Sequence, residues 1–256
     1  MMAVTVKHRW KKMKVKKRLD HLLADRFPAF SRAQLQSFVM QGFVRVDDMV
    51  ITKPGTQVEE TALITLDVDQ PKYVSRAGFK LEHALNTFDI DVKGKVALDA
   101  GISTGGFTDC LLQYGAGKVF GIDVGYGQVH EKIRNDPRVM VKERTNIRHL
   151  EDIGEPVDLV TLDLSFISVL KVMPAICKIL KPNGELIVLI KPQFEAERHE
   201  IGKGGIVRDE KIRNAIVKRV TTGITEHGFS LVGVTPSPIR GATGNQEYLA
   251  YFKRAR

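Results

Sequence analysis

Apolar and polar positions follow two different periods along this chain, and each period predicts a different kind of element. Between residues 18 and 41, apolar residues recur every three or four positions in RLDHLLADRF and again in SRAQLQSFVM. This spacing predicts two helices, with Pro28 in the turn, Ser31 as N-cap and Gly42 as C-cap. FVRVDD and MVITKPG then alternate with a period of two, which predicts a strand, a turn and a strand.

After a polar, proline-containing linker at 68–75, strands and helices alternate. Short apolar runs predict seven strands, at Lys95–Asp99, Lys118–Asp123, Val139–Glu143, Leu159–Asp163, Glu185–Lys191, Leu231–Thr235 and Tyr248–Lys253. Helical spacing predicts helices near 106–114, 128–134, 170–180 and 209–227. This alternation is typical of a parallel α/β sheet.

Length and composition fit a globular protein with a small domain at 13–67 and a large one at 76–256. The chain has 256 residues, of which 43% are hydrophobic and 27% charged. The longest apolar runs are strand-sized, and no apolar segment follows the basic N-terminus, so neither a transmembrane helix nor a signal peptide is predicted. Cys110 and Cys177 lie in apolar helical patterns, which predicts reduced, buried thiols, no metal site and a cytoplasmic protein.

The positive charge is concentrated at the N-terminus. The net charge is +9, and eight Lys and Arg residues lie between residues 7 and 18 without an acid, so the rest of the chain is nearly neutral. Such an arm is typical of contact with nucleic-acid phosphates. A disordered tail, or an extension at 1–12 from an upstream start site, explains the same pattern.

A strand that ends in an acid runs directly into a glycine-rich turn in VALDAGISTGGFT, residues 96–108. Such a turn lets a nucleotide cofactor lie against main-chain N–H groups. Asp123 ends the next strand 24 residues after Asp99, the position of a ribose-binding acid, with helix capping as the alternative. No P-loop motif is present. A dehydrogenase-like Tyr114-x-x-x-Lys118 lies remote from this turn.

Four further charged residues indicate chemistry: Lys80 in SRAGFKL, Asp163 in LDLSF, Lys191 in IKPQFE and Glu247 in NQEYL. Asp163 and Lys191 each end an apolar strand, at the sheet edge where open α/β proteins bind ligands. A lysine there is costly unless it is paired or functional. An ordinary ion pair between the two is the structural alternative.

These motifs resemble known families. The glycine-rich loop resembles the cofactor loop of S-adenosylmethionine-dependent methyltransferases, and Lys–Asp–Lys–Glu in this order resembles the FtsJ-like RNA 2′-O-methyltransferases. RLDxLL, SRxQ, GxVRVDD and KPG resemble the S4 RNA-binding fold. From residue 14 to 253, with YVSRAGFKL, GIDVGYGQ, ERTNIR and GKGGIVRD, the chain resembles the TlyA (haemolysin A) family.

The resemblance implies a Rossmann-like class I methyltransferase domain preceded by a small S4 domain. It implies S-adenosylmethionine as cofactor, ribosomal RNA or ribosomal subunits as partner, and 2′-O-methylation of cytidine in 16S and/or 23S rRNA, without a membrane or an obligate protein partner. Lys80, Asp163, Lys191 and Glu247 are then catalytic. The expected cofactor-binding residues are Asp99, Gly101, Ser103, Gly105, Gly106, Asp123, Asn146 and Asp163, although Asn146 is equally explained as a turn residue.

Lysine suits the chemistry, because a lysine between other charges can accept a hydroxyl proton. Lys191 is the expected general base, oriented by Asp163, while Glu247 holds Lys80 or the ribose. The expected RNA-binding residues lie in the S4 unit and in the polar loop 193–208, which is either a binding loop or a solvated excursion. They are Arg18, Ser31, Arg32, Gln34, Arg198, Lys203 and Arg208.

Two alternatives stay open. Arg18 and Arg32 are also explained as structural partners of Asp20 and Asp47, and residues 19–70 carry four basic residues against eight acids. A non-catalytic RNA-binding or ribosome-assembly factor is the second functional hypothesis, and a membrane-active haemolysin is the third. The chain has no lytic amphipathic segment that favours the latter. It also lacks the N/D-P-P-aromatic and Pro-Cys motifs of amine and cytosine C5 methyltransferases.

Overall fold

A computed structural model describes residues 15–28, 30–40, 42–67, 72–202, 204–241 and 243–255. The chain forms two compact units, with the boundary between residues 71 and 72, and each unit has its own hydrophobic core. The predicted basic extension and Lys203 lie outside the described residues. Within the described ranges, no helix is long and apolar enough to cross a bilayer.

The N-terminal unit packs two helices with short antiparallel strands. Its elements are β1 (Lys16–Arg18), α1 (Leu19–Arg26), α2 (Arg32–Met40), β2 (Val44–Val46), β3 (Met49–Val50), β4 (Gln57–Glu59) and β5 (Ile64–Leu66). β2 is the centre of a three-stranded sheet with β3 and β5, and β1 pairs with β4. Leu19, Leu23 and Leu35 are fully buried in its core, so the apolar stripes that predicted both helices face inward.

The residues predicted to cap α2 and to form the turn between the strands do so in this unit. Ser31 Oγ accepts the Gln34 N–H at 3.3 Å, and Gln34 Oε1 accepts the Ser31 N–H at 2.8 Å, a reciprocal cap at the start of α2. Asp47 and Asp48, with φ of 47° and 65°, form the two-residue turn between β2 and β3. Gly42 follows α2 with φ of 82°, a conformation that favours glycine after a helix.

The C-terminal unit is built on a seven-stranded sheet. Its elements are α3 (Ala77–Thr87), β6 (Val96–Ala100), α4 (Gly106–Gln113), β7 (Lys118–Ile122), α5 (Glu131–Arg134), β8 (Val139–Lys142), β9 (Val157–Leu162), α6 (Met173–Ile179), β10 (Leu180–Ile190), α7 (Pro192–Glu195), α8 (Glu210–Thr225), β11 (Phe229–Pro236) and β12 (Tyr248–Arg254). The strand order is β11-β12-β10-β9-β6-β7-β8. Alternate side chains of the strands enter two separate cores, one with α6 and α8 and one with α3 and α4.

The order of the strands creates a crevice. β6 to β10 run parallel, as predicted. The chain proceeds from β6 to β7 and β8 on one side, then to β9 and β10 on the other, so a crevice opens at the carboxyl ends of β6 and β9. β12 departs from the parallel pattern and runs antiparallel to both its neighbours, because loop 237–247 joins it to β11 without a crossover helix.

Some predicted elements differ in the structure. The helix expected at 128–134 is only α5, because His130 caps its first turn by accepting the Lys132 N–H. The sequence prediction contains no counterpart of α3, although Leu81, Ala84 and Leu85 have helical spacing and are buried. Tyr73, within the expected linker, is 2% exposed in the core of the C-terminal unit.

The two thiols also differ from each other. Cys110 is buried, as expected, and its burial raises the pKa of the thiol to about 12. Cys177 was expected to be buried as well but is partly exposed, because it lies on the outer part of α6 near the His227 carbonyl. Neither thiol belongs to a group of metal-binding side chains among the described residues.

Candidate active site

The four predicted catalytic side chains come together at one end of the sheet. Lys80 comes from α3, Asp163 and Lys191 directly follow β9 and β10, and Glu247 directly precedes β12. All four line one cavity of about 580 Å³, called here the reaction lobe. Because β12 is reversed, its first residues reach the same sheet edge as the last residues of the parallel strands.

Lys80 and Glu247 form the more deeply buried of two ion pairs. Lys80 Nζ lies 2.5 Å from Glu247 Oε2, and the two side chains are 9% and 3% exposed. Charges this deeply buried are tolerated only when they are paired. Gly241 is required beside them, because a Cβ there would lie 2.4 Å from Glu247 Oε1.

Lys191 and Asp163 form the second pair. Lys191 Nζ lies 2.7 Å from Asp163 Oδ1 and donates a hydrogen bond to Ser165 Oγ at 3.0 Å. It also lies 5.8 Å from the centre of the Phe194 ring. The ion pair that the sequence offered as a structural alternative is thus present, and it faces a cavity rather than a closed core.

A second cavity of about 500 Å³, called here the second lobe, shares a wall with the reaction lobe. The residues common to both lobes are Gly101, Ser103, Asp163, Ser165 and Phe166. Asp123 and Asn146 line the second lobe only. Asp123 Oδ2 accepts the Ser103 N–H at 2.8 Å and its Oδ1 accepts the Gly125 N–H at 2.7 Å, whereas Asn146 also caps a short 3-10 helix through the Arg148 N–H.

The glycines of the loop serve different purposes. Gly101 has φ of 86°, and a Cβ there would lie 2.5 Å from the Asp163 carbonyl oxygen. Gly105 has φ of 95° where α4 begins, and it faces Ile133. Gly106 packs on Ser75, whose Oγ would lie 2.2 Å from an added Cβ, while Gly106 also lines the reaction lobe. Gly105 lines neither lobe, so its role in the structure is the turn.

Asp99 lies beneath the loop rather than in the cleft. Its side chain is completely buried, lines neither lobe, and accepts hydrogen bonds from Thr108 Oγ1 at 2.7 Å and Thr161 Oγ1 at 3.2 Å. Burial raises the pKa of this carboxyl to about 7, and the nearby Asp163 carboxylate adds to the increase. Asp99 thus supports the loop from below.

The predicted RNA-binding residues are separated in the structure. Arg18 and Arg32 both pair with the buried Asp20, at 3.0 and 3.2 Å, and their side chains stay 48% and 57% exposed. The alternative partner Asp47 instead accepts the Leu63 N–H. Ser31 and Gln34 cap α2, as described above. In the C-terminal unit, Arg198 and Arg208 are exposed.

Two residues of the reaction lobe were not singled out in the sequence, although Gln193 begins the loop 193–208 that was predicted as a possible binding loop. Phe166 is 90% exposed with φ of 64°, and its ring centre lies 5.0 Å from that of Phe194. Gln193 donates through Nε2 to Glu247 Oε1 at 3.4 Å. Their positions directly after Asp163 and Lys191, in LDLSF and IKPQFE, were the available signal.

A largely parallel sheet with a glycine-rich loop and a two-lobed cleft at its switch point is typical of a domain that binds a nucleotide cofactor. The FtsJ-like methyltransferase family model matches residues 73–254, and the S4 domain model matches residues 17–64. The chain belongs to the TlyA (haemolysin A) family of FtsJ-like methyltransferases with an N-terminal S4 domain.

The names of similar proteins are consistent with this family assignment. The 16S/23S rRNA (cytidine-2′-O)-methyltransferase TlyA of Mycobacterium tuberculosis is 44% identical over 92% of this chain and 89% of its own. Hemolysin A of Brachyspira hyodysenteriae is 43% identical over 92% of this chain and 99% of its own. A Streptococcus thermophilus structure solved under the name hemolysin is 38% identical, with a TM-score of 0.74, and the match covers 94% of this chain and 89% of that one.

Proposed function

We propose that this enzyme methylates the ribose 2′-oxygen of a cytidine in 16S and/or 23S rRNA, with S-adenosylmethionine as the donor. The observation that carries the proposal is the cluster of two lysine–carboxylate pairs beside the wall that the two lobes share. The activity in the name of the Mycobacterium tuberculosis relative supports the same substrate.

The second lobe fits the adenosine part of the cofactor. Each Asp123 carboxylate oxygen accepts one backbone N–H and keeps a lone pair for a ribose hydroxyl. Asn146 lines the same lobe and is proposed to contact the base. Gly101 and Ser103 form part of the shared wall, where the backbone can lie close to the cofactor. Asp163 adds a carboxylate at that wall, which suits a positively charged sulfur. When bound, S-adenosylmethionine supplies a methyl group activated by that charge.

Lys191 is the proposed general base. Asp163 and Ser165 hold its Nζ at a fixed position, and once the ammonium has released one proton to solvent, the amine takes the proton of the ribose 2′-hydroxyl. Lys80 and Glu247, which line the same lobe, hold the ribose. Most of the acceleration then comes from alignment of the two reactants rather than from covalent chemistry.

The S4 unit supplies the RNA contact in this proposal. Arg18 and Arg32 present half-exposed guanidinium groups from one buried anchor, and guanidinium is well suited to phosphate. Arg198 and Arg208 are exposed in the loop that also supplies Ile201 and Gly205 to the reaction lobe, and we propose that they contact RNA. Lys203, which belongs to the same stretch of sequence, is proposed as a third contact. The enzyme acts on ribosomal RNA or ribosomal subunits in the cytoplasm, without an obligate protein partner.

The test is methyl transfer from labelled S-adenosylmethionine to isolated 30S and 50S subunits and to free rRNA, followed by mapping of the modified nucleotide. Lys191→Ala is expected to lose about 1,000-fold in kcat, within the range for a missing general base. Lys178→Ala, which removes an exposed lysine of α6, is the matched control. No transfer by the wild type to any of these substrates, or full activity of Lys191→Ala, refutes the proposal.

Calorimetry with S-adenosylmethionine separates the enzyme from a non-catalytic RNA-binding factor. We expect saturable binding that weakens in Asp123→Ala, because that variant loses both the ribose acceptor and the two backbone contacts of the loop. A chain that binds rRNA but not the cofactor would favour the assembly factor.

A further inference from the structure

The side-chain amide of Gln193 has two ends in different environments. Its Nε2 donates to Glu247 Oε1, whereas its Oε1 is buried and has no hydrogen-bond partner among the described residues. The orientation of the amide is fixed by Glu247, because a carboxylate oxygen accepts hydrogen bonds and would repel the amide oxygen. The carbonyl oxygen is therefore the free end, and neither lysine–carboxylate pair uses it.

A buried carbonyl oxygen without a donor is rare in folded proteins, because the group has given up its hydrogen bonds to water. Gln193 lines the reaction lobe together with Lys191 and Phe194. A hydrogen-bond donor on a molecule bound in this lobe would satisfy the oxygen. Since the oxygen has almost no surface open to water, the amide must turn slightly on binding to present this acceptor beside the reacting groups.

An internal nucleotide of RNA offers few donors. Its O3′ and O5′ are esterified and its O4′ is a ring ether, so only the 2′-hydroxyl and the N–H groups of the base can donate. In the proposed function, on which this inference rests, the hydroxyl proton goes to Lys191. The base is then the remaining donor, and cytosine carries an amine at N4 where uracil carries a carbonyl oxygen.

We propose that Gln193 Oε1 accepts a hydrogen bond from the N4 amine of the target cytosine and thereby selects cytosine over uracil. The rings of Phe166 and Phe194 lie in the same lobe and give the base an apolar surface. With uracil in place, two carbonyl oxygens face each other and Gln193 stays unpaired. A site discriminates in this way because the wrong substrate leaves one of its buried polar groups without a hydrogen bond.

The test compares two substrates for each of three enzymes. Ribosomal subunits carry either cytidine or uridine at the mapped target position, and kcat/KM is measured for the wild type, Gln193→Met and Gln193→Glu. Methionine has a similar shape without the acceptor. Because it also loses the donor to Glu247, it is expected to lower kcat/KM for both substrates, and to lower the value for cytidine by about 10- to 100-fold more than the value for uridine.

Glutamate keeps the acceptor and loses the donor to Glu247. It is expected to lower both values and to preserve the preference for cytidine. The ratio for each variant is independent of the fraction of folded protein, so partial misfolding does not obscure the result.

Equal losses on both substrates in Gln193→Met, or loss of the cytidine preference in Gln193→Glu, overturn the inference while wild-type activity upholds the proposed function. A wild-type enzyme inactive on both substrates contradicts the proposed function and this inference together.

Discussion

At the scale of single residues, the site depends on how each buried charge is compensated. A buried ion pair is weak evidence of added stability, because the loss of hydration opposes the attraction of the charges. Two such pairs side by side, with Lys80 and Lys191 both facing a cavity, are therefore better explained by what they bind than by what they stabilise. Removal of one partner leaves the other charge buried and unpaired.

Glu247→Gln tests this dependence. Lys80 then loses its only charged partner among the described residues, and the ribose loses one of its proposed contacts. We expect kcat to fall by at least about 100-fold, within the range for groups that act on a reacting hydroxyl, while affinity for S-adenosylmethionine changes little. Glu226→Gln, at the exposed end of α8, is the control. A kcat within threefold of the wild type would show that the Lys80–Glu247 pair is only structural.

Asp99 predicts a pH-dependent stability. The pKa of its carboxyl is raised to about 7 in the folded protein, so the folded state holds a proton that the unfolded state releases near its ordinary value of 3.8. The stabilising effect of this proton is fully present below the unfolded pKa and is lost as the pH rises through about 7.

Asp99→Asn imitates the protonated carboxyl and is expected to remove this dependence. Thermal unfolding between pH 5 and pH 8 is the measurement. The melting temperature of the wild type should fall by several degrees relative to that of the variant as the pH rises. If the melting temperatures of the two proteins change with pH in parallel, Asp99 is not the group that causes the pH dependence.

At the scale of elements, two loops beside the reaction lobe are joined by one side chain. Asn245 is 1% exposed. Its Nδ2 donates to the Gly205 carbonyl at 2.9 Å and to Thr243 Oγ1 at 3.0 Å, and its Oδ1 accepts the Val207 N–H at 3.0 Å. The loop around 202–208 and the loop before Glu247 are thus held as one wall of the site.

Asn245→Leu is expected to separate these loops, because leucine cannot replace any of the three hydrogen bonds. The KM for ribosomal substrate should rise about fivefold or more, equivalent to loss of about 1 kcal/mol, with cofactor affinity unchanged. Trypsin cleavage at Arg208 should become faster in the variant. Unchanged cleavage and an unchanged KM would mean that the loops hold their positions independently.

The sequence predicts the site residues that a local pattern marks. It predicts less well the contacts between residues that lie far apart along the chain. Strand ends and glycine spacing identified Asp163, Lys191 and Gly101, because a charge that ends an apolar strand is conspicuous in one dimension. The contact between Lys80 and Glu247 joins residues 167 positions apart and follows from the reversed β12, which no local pattern encodes. Likewise, the buried position of Asp99 became visible only once the loop was folded above it.

At the scale of the whole molecule, residues 19–70 carry only four basic residues against eight acids, yet two arginines of the N-terminal unit are held on one anchor. Arg18 and Arg32 share Asp20, whose carboxyl pKa is held well below its ordinary range, chiefly by the hydrogen bond from Arg18. The anchor therefore stays negatively charged across the physiological range of pH. The two guanidinium groups are thus fixed rather than free in solution.

The double variant Arg18→Ala/Arg32→Ala is expected to bind rRNA about tenfold more weakly. The slope of log affinity against log salt concentration should also become shallower by about one to two, because each lost phosphate contact reduces it by about one. Affinity for S-adenosylmethionine should stay unchanged. Filter binding at several salt concentrations measures both effects, with Lys178→Ala as the control. An unchanged salt slope would assign the RNA contact to other residues.

The position of β12 also determines when this enzyme can first act. It is made after every other strand of the sheet, yet it lies inside the sheet between β10 and β11. Until it is synthesised and inserted, β10 has an unpaired edge and Glu247 cannot meet Lys80. A chain whose β12 has not yet been inserted therefore holds no complete cluster of the four charged residues. If ribosomal RNA is the substrate, such a chain cannot methylate the ribosome that is producing it.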